Sequence, residues 1–279
     1  MSNVRSILAS IWIGWYRDFS WTNPLLGLSL RTIPPIASVM AASIVYWWGS
    51  FHAGVFDPNR LAYIMIGALL YAHIAAYSMI PNLAIAEGKW TFVFTQVYMS
   101  PKSASPYLAG RTLGSFLSSA VTLFLALIAV YLLLPPLFGT SIPLVVTPLS
   151  FALFGLALVV NILASMGIGF LLGAYAIFAT KFEWALPTYI SGLLMIFSEA
   201  LFPVTFLPGP LSQIANVLPF TEFIRAARAA MIYNDVSSYF YFLGLSAIGG
   251  LILLFAGLLA FRRAENRARR LGLLDRKVA

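Results

Sequence analysis

The sequence predicts an all-α membrane protein: six transmembrane helices, an N-terminal interfacial amphipathic helix ahead of them, and a re-entrant outer hairpin after span 5. Three observations predict it. Of 279 residues, 61% are apolar and only 9% are charged, against about 45–50% and about 25% in a soluble domain, so the chain has too little charge to cover a water-facing surface of its size. Apolar runs of the ~20 residues that a helix needs to cross a ~30 Å hydrocarbon core recur along the whole length. The basic residues cluster beside those runs: Arg5, Arg17 and Arg31, then Lys89, Lys102 and Arg111, then the tail from Arg262. Disorder is excluded by the 15% of aromatic residues, because disordered chains are polar and aromatic-poor. With no cysteine, disulfides, thiolate metal ligands and thiol nucleophiles are excluded too.

The first element, in a unit drawn at 1–25, rests on Ile7, Ile11, Trp15 and Phe19, which recur every four residues beside Arg5, Arg17 and Asp18. A helix of this kind is expected to lie flat in the membrane interface. Arg17 and Asp18 also interrupt the apolar stretch before it reaches the length of a cleavable signal. The six-span unit, 26–279, follows, with spans near 28–48, 61–81, 108–134, 148–178, 184–206 and 239–261. Orientation comes from the charge of the connections. Counted with Arg31 and Arg111 at the cytoplasmic ends of spans 1 and 3, the flanks before span 1, between spans 2 and 3, between spans 4 and 5 and after span 6 carry a net +9, and the opposite connections carry none. Glu199, inside span 5, supplies the remaining −1 of the total +8. Both termini are therefore expected in the cytoplasm of a multi-pass plasma-membrane protein, the basic tail 262–279 facing anionic lipid.

Two connections are more than loops. The cytoplasmic one, 82–107, carries Trp90, Phe92, Phe94, Tyr98 and Met99, too aromatic for a flexible linker. It is expected to hold a short amphipathic helix docked on the membrane surface or on a partner protein. The outer one, 203–235, is broken by Pro203, Pro208, Pro210 and Pro219 while still apolar. Irregular backbone at membrane depth needs protein cover or a watery cavity, hence the re-entrant hairpin.

Catalytic chemistry is sparse. The only Gly-Lys pair, Gly88-Lys89, has Leu83 where a phosphate loop needs its first glycine and Trp90 where it needs Ser or Thr, so this chain has no such ATP site. His52 and His73 form no zinc-binding pair, and no nucleophile elbow occurs. No catalytic residue, metal or cofactor is assigned to the chain. The polar groups at membrane depth, His73, Asn161 and Glu199, are the candidates for a substrate path, because ionisable groups there are costly and tend to face an interior. Each has a plainer reading: His73 and Asn161 as side chains satisfied by neighbouring helices, Glu199 as a carboxylate capping the backbone amides of a broken span 5. Gly167, Gly169 and Gly173 in span 4, with Gly244, Gly249 and Gly250 in span 6, read as close-packing positions. The cationic tail reads as a positive-inside anchor, and no nucleic-acid partner is expected.

Two separated stretches resemble one family, the ABC-2 type (type 2 ABC exporter) permeases, the membrane-spanning subunits of ATP-driven exporters. On the outer side Ser198, Phe202, Pro203, Pro208, Pro219 and Arg228 stand at the family's spacings; Glu199 departs from it, standing where the family usually has glycine. On the cytoplasmic side Glu87, Lys89 and Pro101 resemble its coupling loop, whose Gly-Thr pair is replaced near Thr91-Phe92. The resemblance implies a homodimer or heterodimer of permease subunits bound to separate ATPase subunits, which would hold ATP and Mg. Glu87, Gly88, Lys89, Trp90, Phe92 and Pro101 would then couple to the ATPase, and Glu199, Phe202, Pro203, Pro208, Pro219 and Arg228 would form the outer hairpin and gate. The expected cargo is hydrophobic or amphiphilic, a drug or lipid-like molecule. Export of a lipid-linked polysaccharide, with Trp47, Trp48, Phe51, Tyr63 and Tyr71 as a stacking row, and ion-driven secondary transport stand as alternatives.

Overall fold

The computed structural model describes residues 3–19, 23–91, 96, 103–179 and 185–272. Every regular element among them is helical: α1 (Asn3–Phe19), α2 (Pro24–His52), α3 (Pro58–Ser78), α4 (Ile80–Trp90), α5 (Ser105–Phe138), α6 (Pro148–Phe178), α7 (Ala185–Phe197), α8 (Gly209–Val217), α9 (Pro219–Arg228) and α10 (Val236–Arg270). A 3-10 turn (Val204–Phe206) precedes α8, and a π-helical turn (Ala229–Tyr233) follows α9.

Several helix starts are written as a polar cap followed by proline. Asn23 accepts from the Leu25 amide ahead of Pro24, Asp57 from Asn59 ahead of Pro58, and Thr147 from Ser150 ahead of Pro148. Each cap satisfies an amide that the first turn leaves open, and each proline sits where no amide is needed. Asp235 starts α10 and is held below the usual carboxylate range by hydrogen bonds from the Ser238 hydroxyl and amide.

Among the described residues five helical segments are long and apolar enough to cross a membrane: Pro24–His52, Pro58–Lys89, Ser105–Phe138, Pro148–Phe178 and Val236–Arg270. The chain is an all-helical, multi-pass membrane protein. The stretch expected as span 5 is not one helix over 184–206. Among the described residues α7 covers 13, about 20 Å at ~1.5 Å per residue, and ends at Phe197. Beyond it Glu199 takes φ 61°, a left-handed turn that no helix continues through.

In the stretch after span 2 the aromatic run expected to dock, with Phe92, Phe94, Tyr98 and Met99, lies outside the described residues. The first part of that stretch, α4, prolongs α3 and packs on the chain's own bundle, where Ala84 and Ile85 join Leu108 of α5, Phe170 and Ile177 of α6 and Phe261 of α10 in a second core. The main core lies among α3, α5, α6, α9 and α10. Both described ends of the chain fall beside the start of α5: the Ile7 carbonyl lies against Gly110, and Glu265 bonds the Ala104 amide.

α1 stands alongside α5 and does not lie across its end. Ile7 faces Gly110, Ile11 faces Gly114, and Ser118 donates to Asp18, so the two helices advance together. Gly14, Gly110 and Gly114 explain the contact, because a Cβ at any of them would run into the other helix's backbone. The Ile7, Ile11, Trp15 stripe turns toward this seam, while Val4, Leu8, Trp12 and Tyr16 stay exposed.

Small residues also set the seam between α6 and α10. A Cβ at Gly257 would overlap the Gly167 carbonyl, and one at Gly167 would meet the backbone of Leu253 and Leu254. Gly244 has open space around it. Gly257→Val is expected to push the two helices apart at about 1–3 kcal/mol and to lower the thermal midpoint measured by size-exclusion chromatography after heating in detergent. Gly244→Ala is expected to leave that midpoint unchanged or slightly higher, because alanine favours a helix interior over glycine.

Candidate functional site

Charged side chains gather at two ends of the bundle, and a cavity opens beside one of them. The end away from the termini holds Glu199, Glu222, Arg225 and Arg228. It is built on the break after α7. α9 returns from the surface into the bundle, with Phe220, Phe223, Ile224, Ala226 and Ala227 wholly buried. Pro219 opens it where no amide donor is required, and Gly249 of α10 packs against that ring. The Thr221 hydroxyl lies 2.9 Å from the Phe197 carbonyl and 2.7 Å from that of Ala215, linking the ends of α7 and α8.

Arg228 is the centre of this knot. Its side chain is 2% exposed. It donates to the carbonyls of Glu199 (2.8 Å), Ala200 (3.0 Å) and Tyr63 (3.1 Å) and lies 3.3 Å over the Tyr63 ring. A cation on carbonyls just past a helix end has the sign that the helix dipole favours. Gly67 lets α3 reach this point, since a Cβ there would overlap the Ala200 carbonyl and the Arg228 guanidinium. The Glu199 carboxylate accepts from the Tyr63 hydroxyl at 2.6 Å and from Arg225 Nε at 2.7 Å. Arg225 also bonds Glu222 and Asn216. The expectation that Glu199 caps open amides is thus replaced: the break exposes carbonyls, and an arginine covers them. Of the other hairpin positions, Phe202 and Pro203 are half-buried in the turn after α7, and Pro208 is exposed at the start of α8.

At the opposite end α4 and α10 supply the ties. Glu87 takes Arg17 of α1 on one carboxylate oxygen and Arg111 of α5 on the other, both at 2.5 Å. Partial burial and the nearby Arg111 pull the Arg17 guanidinium below its usual range, with Glu87 opposing them. Gly88 is buried. Lys89 donates to the carbonyls of Ala176 and Ala179 at 2.6 and 2.8 Å, capping the end of α6. Glu265 accepts from the Ser103 hydroxyl at 2.6 Å and the Ala104 amide at 2.9 Å, capping the start of α5. Glu87 and Lys89 are therefore engaged within the chain. Phe92 and Pro101, and the side chain of Trp90, lie outside the described residues.

The cavity, about 790 Å³, lies between α1, α2, α3, α4 and α5, with Arg17, Glu87 and Arg111 at one end and His73, Ser119 and Thr122 further in. His73 Nδ1 bonds Ser119 Oγ at 2.8 Å, and its ring stacks on Tyr77. The three substrate-path candidates do not meet. Glu199 bonds Tyr63, ten residues or about 15 Å along α3 from His73, and the Asn161 amide donates to Ser165 on its own helix. Among the described residues no group of three or more His, Asp or Glu is placed to hold a metal ion. Arg225 and Glu265 escaped the sequence reading, and Tyr63, offered there only as part of a stacking row, holds Glu199 and Arg228 instead. Arg225, three residues before Arg228 in an apolar outer stretch, was the one signal there to find. No family model matches the chain, and no curated protein matches it.

Proposed function

We propose that the chain is the permease subunit of an ATP-driven ABC exporter, dimeric, with its basic end in the cytoplasm of the plasma membrane, moving a hydrophobic or amphiphilic cargo. The observation that carries this reading is the half-length α7 followed by α9, a helix buried inside the bundle: α7 is the inward-facing half of a sixth crossing, and 203–235 is the outer re-entrant hairpin. The backbone of Glu199 supports it as well. At the position where these permeases usually have glycine, φ is 61°, a conformation that suits glycine best.

In this reading closure of the ATPase dimer on ATP pushes the 82–107 segment. α4 passes the displacement on, because Glu87 and Lys89 bind it to α1, α5 and α6. A charged clasp at each contact lets the elements move as rigid bodies. With Glu87 and Lys89 engaged internally, contact with the ATPase falls on Trp90, Phe92 and the residues that follow, aromatics being favoured at interface centres. ATP and Mg would belong to the partner.

The test is affinity purification of the chain from its native membrane in mild detergent. An ATPase with a phosphate loop is expected to co-purify in about equal amount, and Trp90→Ala is expected to release it while the chain keeps its thermal midpoint. A chain that emerges alone from several detergents sinks the reading and turns the search to ion-driven flux.

A further inference from the structure

The cavity beside α1 has a chemistry of its own. At its charged end two guanidiniums, Arg17 and Arg111, share the single carboxylate of Glu87, which leaves that triad one positive charge in surplus. The other charges on the walls, Arg31 and Asp18, pair at 2.7 Å and cancel, with Asp18 further bound by Ser118.

Going inward along the α3–α5 seam, the wall is polar. Arg111, Ser115, Ser119 and Thr122 line the cavity from α5 on one helical stripe about 16 Å long at ~1.5 Å per residue. His73 and Tyr77 face it from α3. Both side chains are buried, His73 to 3% and Tyr77 to 0% exposure. Among the described residues His73 Nε2 and the Tyr77 hydroxyl have no hydrogen-bond partner. A buried polar atom left in that state costs about 1–3 kcal/mol, and native structures hold few of them. α2 closes the cavity with the apolar Leu30, Pro34 and Pro35.

The geometry points to a binding site for a monoanionic facial amphiphile, a molecule with one carboxylate or similar anion at an end and hydroxyls along one edge of an otherwise apolar body. The anion sits on Arg17 and Arg111, whose planar forks suit a carboxylate. The hydroxyl edge meets Tyr77, His73 and the α5 serines, and the apolar face lies on α2. About 790 Å³ is within the usual range for a small-molecule site. The site deepens the amphiphile reading of the cargo given above and does not depend on ATP drive, so it is measured by binding alone.

The probes are cholate, which has a carboxylate and hydroxyls on one face, its unhydroxylated parent cholanate, and the uncharged methyl ester of cholate. Each is measured by equilibrium dialysis against the full chain in nanodiscs, below micelle-forming concentration. Cholate is expected to bind at least tenfold more tightly than either analogue. Tyr77→Phe, which removes one oxygen and no packing volume, is expected to shrink the cholate-to-cholanate ratio several-fold and leave the acid-to-ester ratio alone. Arg17→Gln is expected to do the reverse. Both variants should keep their thermal midpoints, Tyr77→Phe being nearly isosteric and Arg17 half-exposed.

Equal binding of all three probes to the unmodified chain would mean simple partitioning and overturn the site, as would contrasts that survive both variants. The two readings separate cleanly. Selective binding with no co-purifying ATPase keeps the site and removes the ABC assignment; a co-purifying ATPase with no selectivity does the opposite.

Discussion

Arg228→Leu is expected to cost about 3–5 kcal/mol, the scale for removing one member of a buried charged cluster, and to leave little folded protein after detergent extraction. The loss has two parts. The carbonyls of Tyr63, Glu199 and Ala200 lose the donor that brings α3, the end of α7 and α9 together. Glu199, 8% exposed, keeps only Tyr63 and Arg225 to offset its charge. Arg228→Lys is expected to recover only part of the stability, because an ammonium is a point charge and lacks the fork that reaches several carbonyls at once. Arg60→Leu is the control: that side chain is 74% exposed and its pair with Asp57 is 3.9 Å long, so little change is expected. The measurement is the thermal midpoint by size-exclusion chromatography after heating. A midpoint for Arg228→Leu within a degree or two of the unmodified chain would mean that the knot does not hold α9 in place.

Glu265→Ala should come second, at about 2–3 kcal/mol, the scale for hydrogen bonds to a charged group together with the donors left unpaired. Glu265 is 1% exposed and is the acceptor for Ser103 and the Ala104 amide. Its negative charge also lies at the N-terminal end of α5, where the dipole favours it. The distinguishing readout is local. Hydrogen exchange is expected to speed up in the first turn of α5 and remain unchanged in the middle of that helix. Glu265→Gln retains an acceptor oxygen and should restore much of the protection. Uniform acceleration along α5 would mean that the substitution loosens the whole bundle and that the cap has no local role.

The sequence carried the large features, because length and apolarity alone decide whether a helix can cross a bilayer. The four prolines of 203–235 marked a broken outer stretch. What escaped was orientation and partnership. The Ile7, Ile11, Trp15 stripe fits a helix lying on lipid as well as one packed on a neighbour; the contact with Gly110 and Gly114 of α5 was not legible, because nothing local ties those glycines to α1. Glu199 was legible as an oddity at membrane depth, but its carboxylate takes Tyr63 and Arg225 while Arg228 covers the carbonyls of the break; a sequence does not say whether a break leaves amides or carbonyls open. Glu87 and Lys89 invited a reading as outward contacts because they stand in a connection. Their partners, Arg111 and the end of α6, are 24 and about 90 residues away in the chain, beyond the reach of any periodicity.

The distance between Ala104 and Glu265 bears on how the protein is made. They lie 161 residues apart, so α5 leaves the ribosome well before its cap exists. The Arg228 contacts with Tyr63 close a similar gap of 165 residues. At both ends of the bundle, then, contacts of the early helices are completed only by the final third of the chain. Synthesis proceeds from the N-terminus, and α5 must wait in the bilayer with its first turn uncapped until α10 joins it. A truncation that removes α10 would leave α5 permanently in that nascent condition, a form that membrane quality control is built to notice.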